Sequence, residues 1–250
     1  MKKELSILKP LEIVSKCINS VIFPMSCCVC GDYSNDAVCN KCWSEVIMIT
    51  EHACKKCDKP FYNPYLISEE GDYICEDCQE KAIFFERAFS YGVYRDTLMK
   101  IIHAFKFHNK PYISKYLARK LLILIESNEE FKEIDLIIPV PMYWKKEIER
   151  GYNQSYLLAK QLSKLIKIKL EKGVLVKVKN TGSQSLMPMK SRKQNVKGSF
   201  FVKRSEKIRN KIILLIDDVY TTGSTVNECA RMLRLAGAGK IIVLTIARTA

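Results

Sequence analysis

Residues 214–225, LLIDDVYTTGST, set two adjacent carboxylates, Asp217 and Asp218, at the end of an apolar run and follow them with hydroxyl side chains around one glycine. A helical pattern begins at Ser224. Backbone N–H groups of Thr221, Thr222, Gly223, Ser224 and Thr225 at that helix start, with the Thr and Ser hydroxyls, make a nest for a dianionic phosphate. Two acids beside the nest would repel phosphate, but they suit the vicinal hydroxyls of a ribose, which donate hydrogen bonds to carboxylates. Neither G-x-x-x-x-G-K-[ST] nor G-x-G-x-x-G occurs, so the segment is not a Walker loop or a dinucleotide fingerprint.

A second chemistry lies in the cysteines, ten of eleven of which precede residue 80. Eight form C-x-x-C pairs: Cys27/Cys30, Cys39/Cys42, Cys54/Cys57 and Cys75/Cys78. Such a knuckle aims two thiolates at one ion, and two knuckles build the tetrahedral four-sulfur site that zinc prefers. The simplest grouping gives one structural zinc to the first four and a second to the last four, although spacing leaves interleaved pairing open. A disulfide framework needs an oxidising compartment, and a redox dithiol needs one pair rather than four. Cys17, Cys28 and Cys229 read as small buried hydrophobes and His52 as a packing or surface residue.

The elements that must position these groups follow from pattern and charge. With 48% hydrophobic and 27% charged residues in 250, the chain is an ordinary folded protein, neither disordered nor fibrous. No uncharged apolar stretch reaches 18 residues, so no membrane insertion, no cleaved signal peptide and a cytoplasmic location are expected. Residues 1–80 carry a net charge of −5 and residues 81–250 one of +19. This split predicts two unlike parts, residues 1–82 with an N-terminal helix and the cysteine knuckles, and a basic domain over residues 83–250. In the latter, DLIIPVP (135–141), KIILLIDDV (211–219) and KIIVLTI (240–246) read as buried parallel strands, with a further strand over 173–178. Helical spacing covers 154–168 and 224–235, the second stopped by Gly237. Alternating strands and helices predict an α/β fold with a parallel sheet flanked by helices and a ligand site beyond the carboxyl ends of the strands.

The order of apolar strand, two acids and T-T-G-x-T closely resembles the phosphoribosyl pyrophosphate (PRPP) loop of type I phosphoribosyltransferases. Two further stretches, IIPVPMYWKKEIERGYNQ (137–154) and TGSQSLMPMKSRKQNVKGSF (181–200), are similar to motifs of the ComF family of competence proteins. The four knuckles followed by YGVYRDTLMKIIHAFK (91–106) resemble that family's zinc ribbons and following helix. The resemblance covers about Cys27 to Ala250 and implies a double zinc ribbon ahead of a type I phosphoribosyltransferase-like domain. Tyr152 stands where phenylalanine is usual, and Lys177 and Lys179 where arginine is expected; lysine keeps the charge but loses the bidentate fork.

The same resemblance implies PRPP bound with Mg²⁺ on Asp217, Asp218 and residues 221–225, a pyrophosphate loop near Val140 and Pro141 with Lys145 or Arg150 neutralising charge, and a lid over residues 180–199 bearing Gln184 and Arg192, with Lys179 at its start. Mg²⁺ dehydrates reluctantly and would be held mostly by the ligand's oxygens and water. No residue is marked as a general base, and the acceptor is not identified. Membership implies a role in DNA uptake during natural transformation, with single-stranded DNA and a competence helicase or other uptake protein as partners. Charge supports the DNA role, since residues 177–211 carry a net +10, and Phe200, Phe201, Tyr152 and Tyr156 offer stacking faces. The other reading is an active phosphoribosyltransferase of nucleotide metabolism without a DNA role.

Overall fold

A computed structural model describes residues 26–61, 73–180 and 196–250. Two short helices, α1 (Asn40–Ser44) and α2 (Glu76–Glu80), each begin immediately after a cysteine that serves as N-cap, Cys39 and Cys75. The chain then runs through β1 (Arg87–Val93), α3 (Asp96–Phe107), α4 (Ile113–Ser127), β2 (Leu136–Pro139), α5 (Trp144–Arg150), α6 (Gln154–Ile166), β3 (Lys169–Leu170), β4 (Leu175–Lys177), β5 (Phe200–Val202), β6 (Ile213–Tyr220), α7 (Ser224–Leu235) and β7 (Ile241–Arg248). Five strands form a parallel sheet in the order β1-β7-β6-β2-β3. No helix among the described residues is long and apolar enough to cross a membrane.

The sheet separates two apolar cores. Along β6 the side chains alternate with period two, so Leu214 and Ile216 join the core under α3, α4 and α6, while Ile213 and Leu215 join the core under α7. Two expectations need correction. The strand expected near residues 173–178 exists as β4, but it pairs antiparallel with β5 in a separate two-stranded ladder rather than extending the sheet. Residues 91–93 belong to β1 instead of a helix. Asp96, the first residue of α3, has φ 45°, so the backbone breaks at the helix start, and the apolar run RAFSYGV ahead of it is a buried strand.

The cysteine-rich part is built into this architecture. Cys27 and Cys42 belong to the same core as Phe89 and Leu98, whereas Cys54, Cys57 and Cys75 belong to the core holding Phe85, Tyr220 and Cys229. Between them the knuckles cover the free edge of β1. Ala88 N–H donates to the Lys56 carbonyl (2.9 Å), Val93 N–H to the Ile47 carbonyl (2.9 Å), and Ile49 N–H to the Tyr91 carbonyl (3.3 Å). Ser90 N–H donates to the buried Asp58 carboxylate at 2.8 Å.

Gly92 is the point of closest approach, since a Cβ there would lie 2.8 Å from the Ile47 carbonyl oxygen and 2.8 Å from Leu98 Cδ2. Backbone cannot swing aside as a flexible side chain can. Gly92→Ala should therefore destabilise the zinc-loaded protein by about 1–3 kcal/mol, the range for overpacking, read as a fall in the urea midpoint. Unchanged stability would mean that the ribbon does not press on the sheet.

Candidate functional site

A cavity of about 530 Å³ opens beyond the carboxyl ends of β2 and β6. Asp217 and Asp218 stand at its base. Asp217 Oδ1 accepts from Ser155 Oγ (2.8 Å) and from the Asp218 N–H (2.9 Å). Asp218 Oδ1 lies 2.9 Å from Lys106 Nζ, and both side chains of that pair are largely buried. Burial, and secondly the neighbouring Asp218 carboxylate, push the Asp217 carboxyl up to about 7. Lys106 sits in the last turn of α3, where the helix dipole favours a cation.

More positive charge lines the walls. Lys146, Arg150 and Lys177 all border the cavity. Burial holds both lysines below the usual ammonium range, with Arg150 adding to the effect at Lys146. Arg150 Nη1 donates to Gln154 Oε1 at 2.9 Å, and its guanidinium lies 5.1 Å from the Phe107 ring centre. The segment ERGYNQ explains how the wall is held. Gly151 at φ 84° ends α5, and Asn153 Oδ1 caps α6 by accepting from the Tyr156 N–H while Asn153 Nδ2 donates to the Val140 carbonyl. The Tyr152 hydroxyl donates to the Phe105 carbonyl, which ties the turn to α3.

Residues 221–225 are split between two sides. Thr221, Gly223 and Thr225 face the cavity with the acids, whereas Thr222 and Ser224 border a second cavity of about 310 Å³ beside the Cys57/Cys78 knuckles. Thr222 Oγ1 and Ser224 Oγ bond to each other at 2.9 Å. Gly223, at φ 74°, is the N-cap of α7 and brings no side chain to the helix start, where the Ser224 N–H lies 3.4 Å from Thr222 Oγ1 and the helix dipole favours negative charge.

Other residues singled out from the sequence are placed as follows. Val140 and Pro141 line the cavity, but Lys145 is exposed and lies over the Trp144 ring; its neighbour Lys146 is the one that faces the site. Lys179 is exposed just beyond β4 and does not line the cavity, where Lys177 does. Gln184, Arg192 and most of the expected lid lie outside the described residues, as do Cys17 and the N-terminal helix. Phe200 is buried in the core and offers no face to a base, Tyr152 packs on Phe105, and Tyr156 carries the Lys172 ammonium at 4.3 Å. Phe201 alone of those four is strongly exposed, at 53%. Sequence reasoning did not assign Lys106, Lys146, Ser155 or Arg248. Ser155 follows N-Q directly and was within reach of the motif; Lys106 comes from an element whose closeness to β6 only the fold creates.

The eight knuckle cysteines gather as two consecutive quartets, Cys27, Cys30, Cys39 and Cys42, and Cys54, Cys57, Cys75 and Cys78, with all sulfurs of a quartet within 4.8 Å of one another. Sulfur separations of 3.7 Å (Cys30–Cys39) and 3.6 Å (Cys57–Cys75) match the edge of about 3.8 Å that a tetrahedron with Zn–S bonds of about 2.3 Å requires. Backbone N–H groups of Cys39 and Cys75 donate to Cys27 Sγ and Cys54 Sγ, each at 3.3 Å, as suits thiolates. Four sulfurs would close the coordination sphere, so a zinc ion held here would have no open position and would be structural. Neither Cys28 nor His52 is a member of a quartet.

Comparison with known proteins agrees with both halves. Residues 18–79 match the double zinc ribbon domain family and residues 152–250 the phosphoribosyl transferase domain family. Competence protein F of Haemophilus influenzae is 32% identical over 220 residues, covering 84% of this chain and 96% of that protein. The DNA utilization protein YhgH of Escherichia coli O6:H1 is 29% identical over 215 residues, 85% of this chain and 90% of the relative. Competence protein ComFC of Bacillus subtilis is 26% identical over 227 residues, 86% and 85% of the two chains. The chain belongs to the competence protein F (ComF) family, in which a double zinc ribbon is joined to a phosphoribosyltransferase-type domain.

Proposed function

We propose that this chain binds PRPP with Mg²⁺ in the cavity above Asp217 and Asp218 and acts in the uptake and handling of DNA during natural transformation. The observation that carries the first half is the placing of two carboxylates beside a helix N-terminus in one cavity walled by Lys106, Lys146, Arg150 and Lys177. The acids accept the ribose hydroxyls, the residue 221–225 backbone takes the 5′-phosphate, and the cations neutralise pyrophosphate. Mg²⁺ supplies further charge neutralisation on the pyrophosphate. The second half rests on the relatives' names and on the net +10 of residues 177–211.

Calorimetric titration of PRPP with Mg²⁺ into the full chain tests the site, and the absence of binding refutes it. For DNA, affinity for a single-stranded oligonucleotide should fall steeply with salt and should shift when PRPP is saturating, since coupling between two ligands is reciprocal. Salt-independent binding would refute the charge argument, and pyrophosphate release from PRPP with a nucleobase in a chain indifferent to DNA would favour the purely metabolic reading.

The raised Asp217 carboxyl gives the site a pH profile. A carboxylate accepts ribose hydroxyls better than a carboxylic acid does, so PRPP affinity should rise from about pH 6 to about pH 8 as Asp217 ionises. The Lys106 ammonium lowers that group, so Lys106→Met should move the midpoint upward. Pyrophosphate, which has no ribose, is the control for the phosphates' own titration near pH 6. A midpoint that stays put in Lys106→Met would count against the pairing of Asp217 and Asp218 with ribose.

A further inference from the structure

Arg248, the last residue of β7, is only 4% exposed, and its guanidinium joins two parts of the protein that the sequence separates by 191 residues. Nε donates to the Cys57 carbonyl at 3.1 Å, and Nη2 lies 3.6 Å from Cys57 Sγ. Nη1 donates to the Thr221 carbonyl at 2.7 Å and to the Thr249 carbonyl at 2.6 Å. The guanidinium face covers the Tyr220 ring at 4.4 Å. Tyr220 in turn supports the loop, because a Cβ on Gly223 would fall 2.1 Å from the Tyr220 hydroxyl oxygen.

A buried guanidinium needs both acceptors and an opposing charge. The acceptors here are carbonyls, a hydroxyl and one sulfur. Four thiolates around one Zn²⁺ would leave a net charge of about −2, so the zinc-loaded second quartet, together with the buried Asp58 carboxylate, is the negative charge that answers Arg248. The loop is then oriented through a peptide plane. In a trans peptide the carbonyl and the following N–H point in opposite directions, and none of the described peptide bonds is cis. Holding the Thr221 carbonyl toward Arg248 turns the Thr222 N–H away from it and so fixes the peptide plane at the start of residues 221–225.

We propose that Arg248 is a positioning residue through which the second four-cysteine site sets the shape of the phosphate loop. Ligand affinity at residues 221–225 then depends on zinc held by Cys54, Cys57, Cys75 and Cys78, and much less on zinc held by the first quartet. This rests on the reading of the loop as a ribose-phosphate site. Outer partners of metal ligands commonly tune both the metal and what is built around it, and here the partner is shared with a binding loop.

The test uses the full-length, zinc-loaded protein with Arg248→Met and Arg248→Lys, and Lys120→Met as the control, because Lys120 lies over Trp43 beside the first ribbon, 4.7 Å from the ring centre. Affinities for PRPP with Mg²⁺ and for pyrophosphate are measured by calorimetry, and zinc release to a chromogenic chelator is followed in time. Arg248→Met should bind both probes 10- to 100-fold more weakly and release one of its two zinc ions several-fold faster, with the other unchanged. Arg248→Lys, which keeps charge but loses the fork, should fall between; if Arg248→Met does not fold, this variant alone decides. Lys120→Met should leave both affinities at the wild-type value. Wild-type affinity in the Arg248 variants overturns the proposal, as does equal acceleration of both zinc ions. A wild type that binds pyrophosphate but not PRPP overturns the ribose reading while the Arg248 comparison still stands on pyrophosphate; binding of neither probe overturns both.

Discussion

The Asp217→Asn, Asp218→Asn double variant should bind PRPP with Mg²⁺ at least about 100-fold more weakly than the wild type. Each ionised carboxylate that accepts a hydroxyl contributes about 1.5–3 kcal/mol, and a carboxamide keeps an oxygen acceptor but not the charge. Two such losses exceed the roughly 2.7 kcal/mol that corresponds to a hundredfold change. Folding serves as the internal control, with a definite sign. The folded-state carboxyl of Asp217 is raised to about 7, above an unfolded value of about 3.9, so the native state holds the extra proton and stability falls as pH rises between those values. Asp217→Asn alone removes that cost and should unfold at a higher temperature than wild type at pH 8, with the gap closing below about pH 4. An Asp217→Asn protein less stable at pH 8 would show that the carboxylate is not strained by burial. Undiminished PRPP affinity in the double variant would refute the site.

Removing zinc should have the larger effect on the whole molecule. The first quartet supplies Cys27 and Cys42 to one core and the second supplies Cys54, Cys57 and Cys75 to the other, so each ion holds a wall on a different side of the sheet. Structural zinc contributes on the order of 10 kcal/mol to small ribbons, comparable to the whole stability of an ordinary domain. Chelation in the presence of a thiol reagent should release two zinc ions per chain and abolish cooperative unfolding of the sheet domain along with the ribbons, read by near-ultraviolet circular dichroism and dye binding. Cys42→Ser and Cys57→Ser should each lose one ion, and only the second should also disturb residues 221–225. If the zinc-free chain unfolded within a few degrees of the holo protein, the ribbons would be appendages rather than walls.

Much of this architecture was legible because local chemistry and fold coincide. The helix 224–235 was bounded by Gly223 and Gly237, and α7 occupies Ser224–Leu235. The C-x-x-C spacing carried the four-sulfur geometry almost by itself, leaving the grouping to the structure. What escaped was whatever depends on distant pairing. RAFSYGV reads as an indifferent apolar run, and it becomes a strand because β7 lies beside it and the knuckles close its other edge. β4 was read as part of the main sheet because a short apolar segment carries no signal of which ladder it joins. Of the cations read from the sequence, Arg150 and Lys177 line the cavity, whereas Lys145 and Lys179 do not, and Lys146, which does, was not named. On a short helix or strand, neighbouring lysines differ only in the face they occupy.

The coverage of β1 by the knuckles has a consequence for how the chain survives its own synthesis. β1 is an edge strand, and an uncovered edge of N–H and C=O groups invites pairing with another copy. Residues 47–49 and 56–58 occupy that edge, so metal-loaded ribbons act as a built-in guard against edge-to-edge aggregation. They precede β1 in the chain and so emerge from the ribosome before it. A ribbon that acquires zinc as it emerges is already shaped when the strand it must shield appears. Zinc-starved cells should accordingly accumulate this protein as insoluble aggregates rather than as a soluble, inactive form.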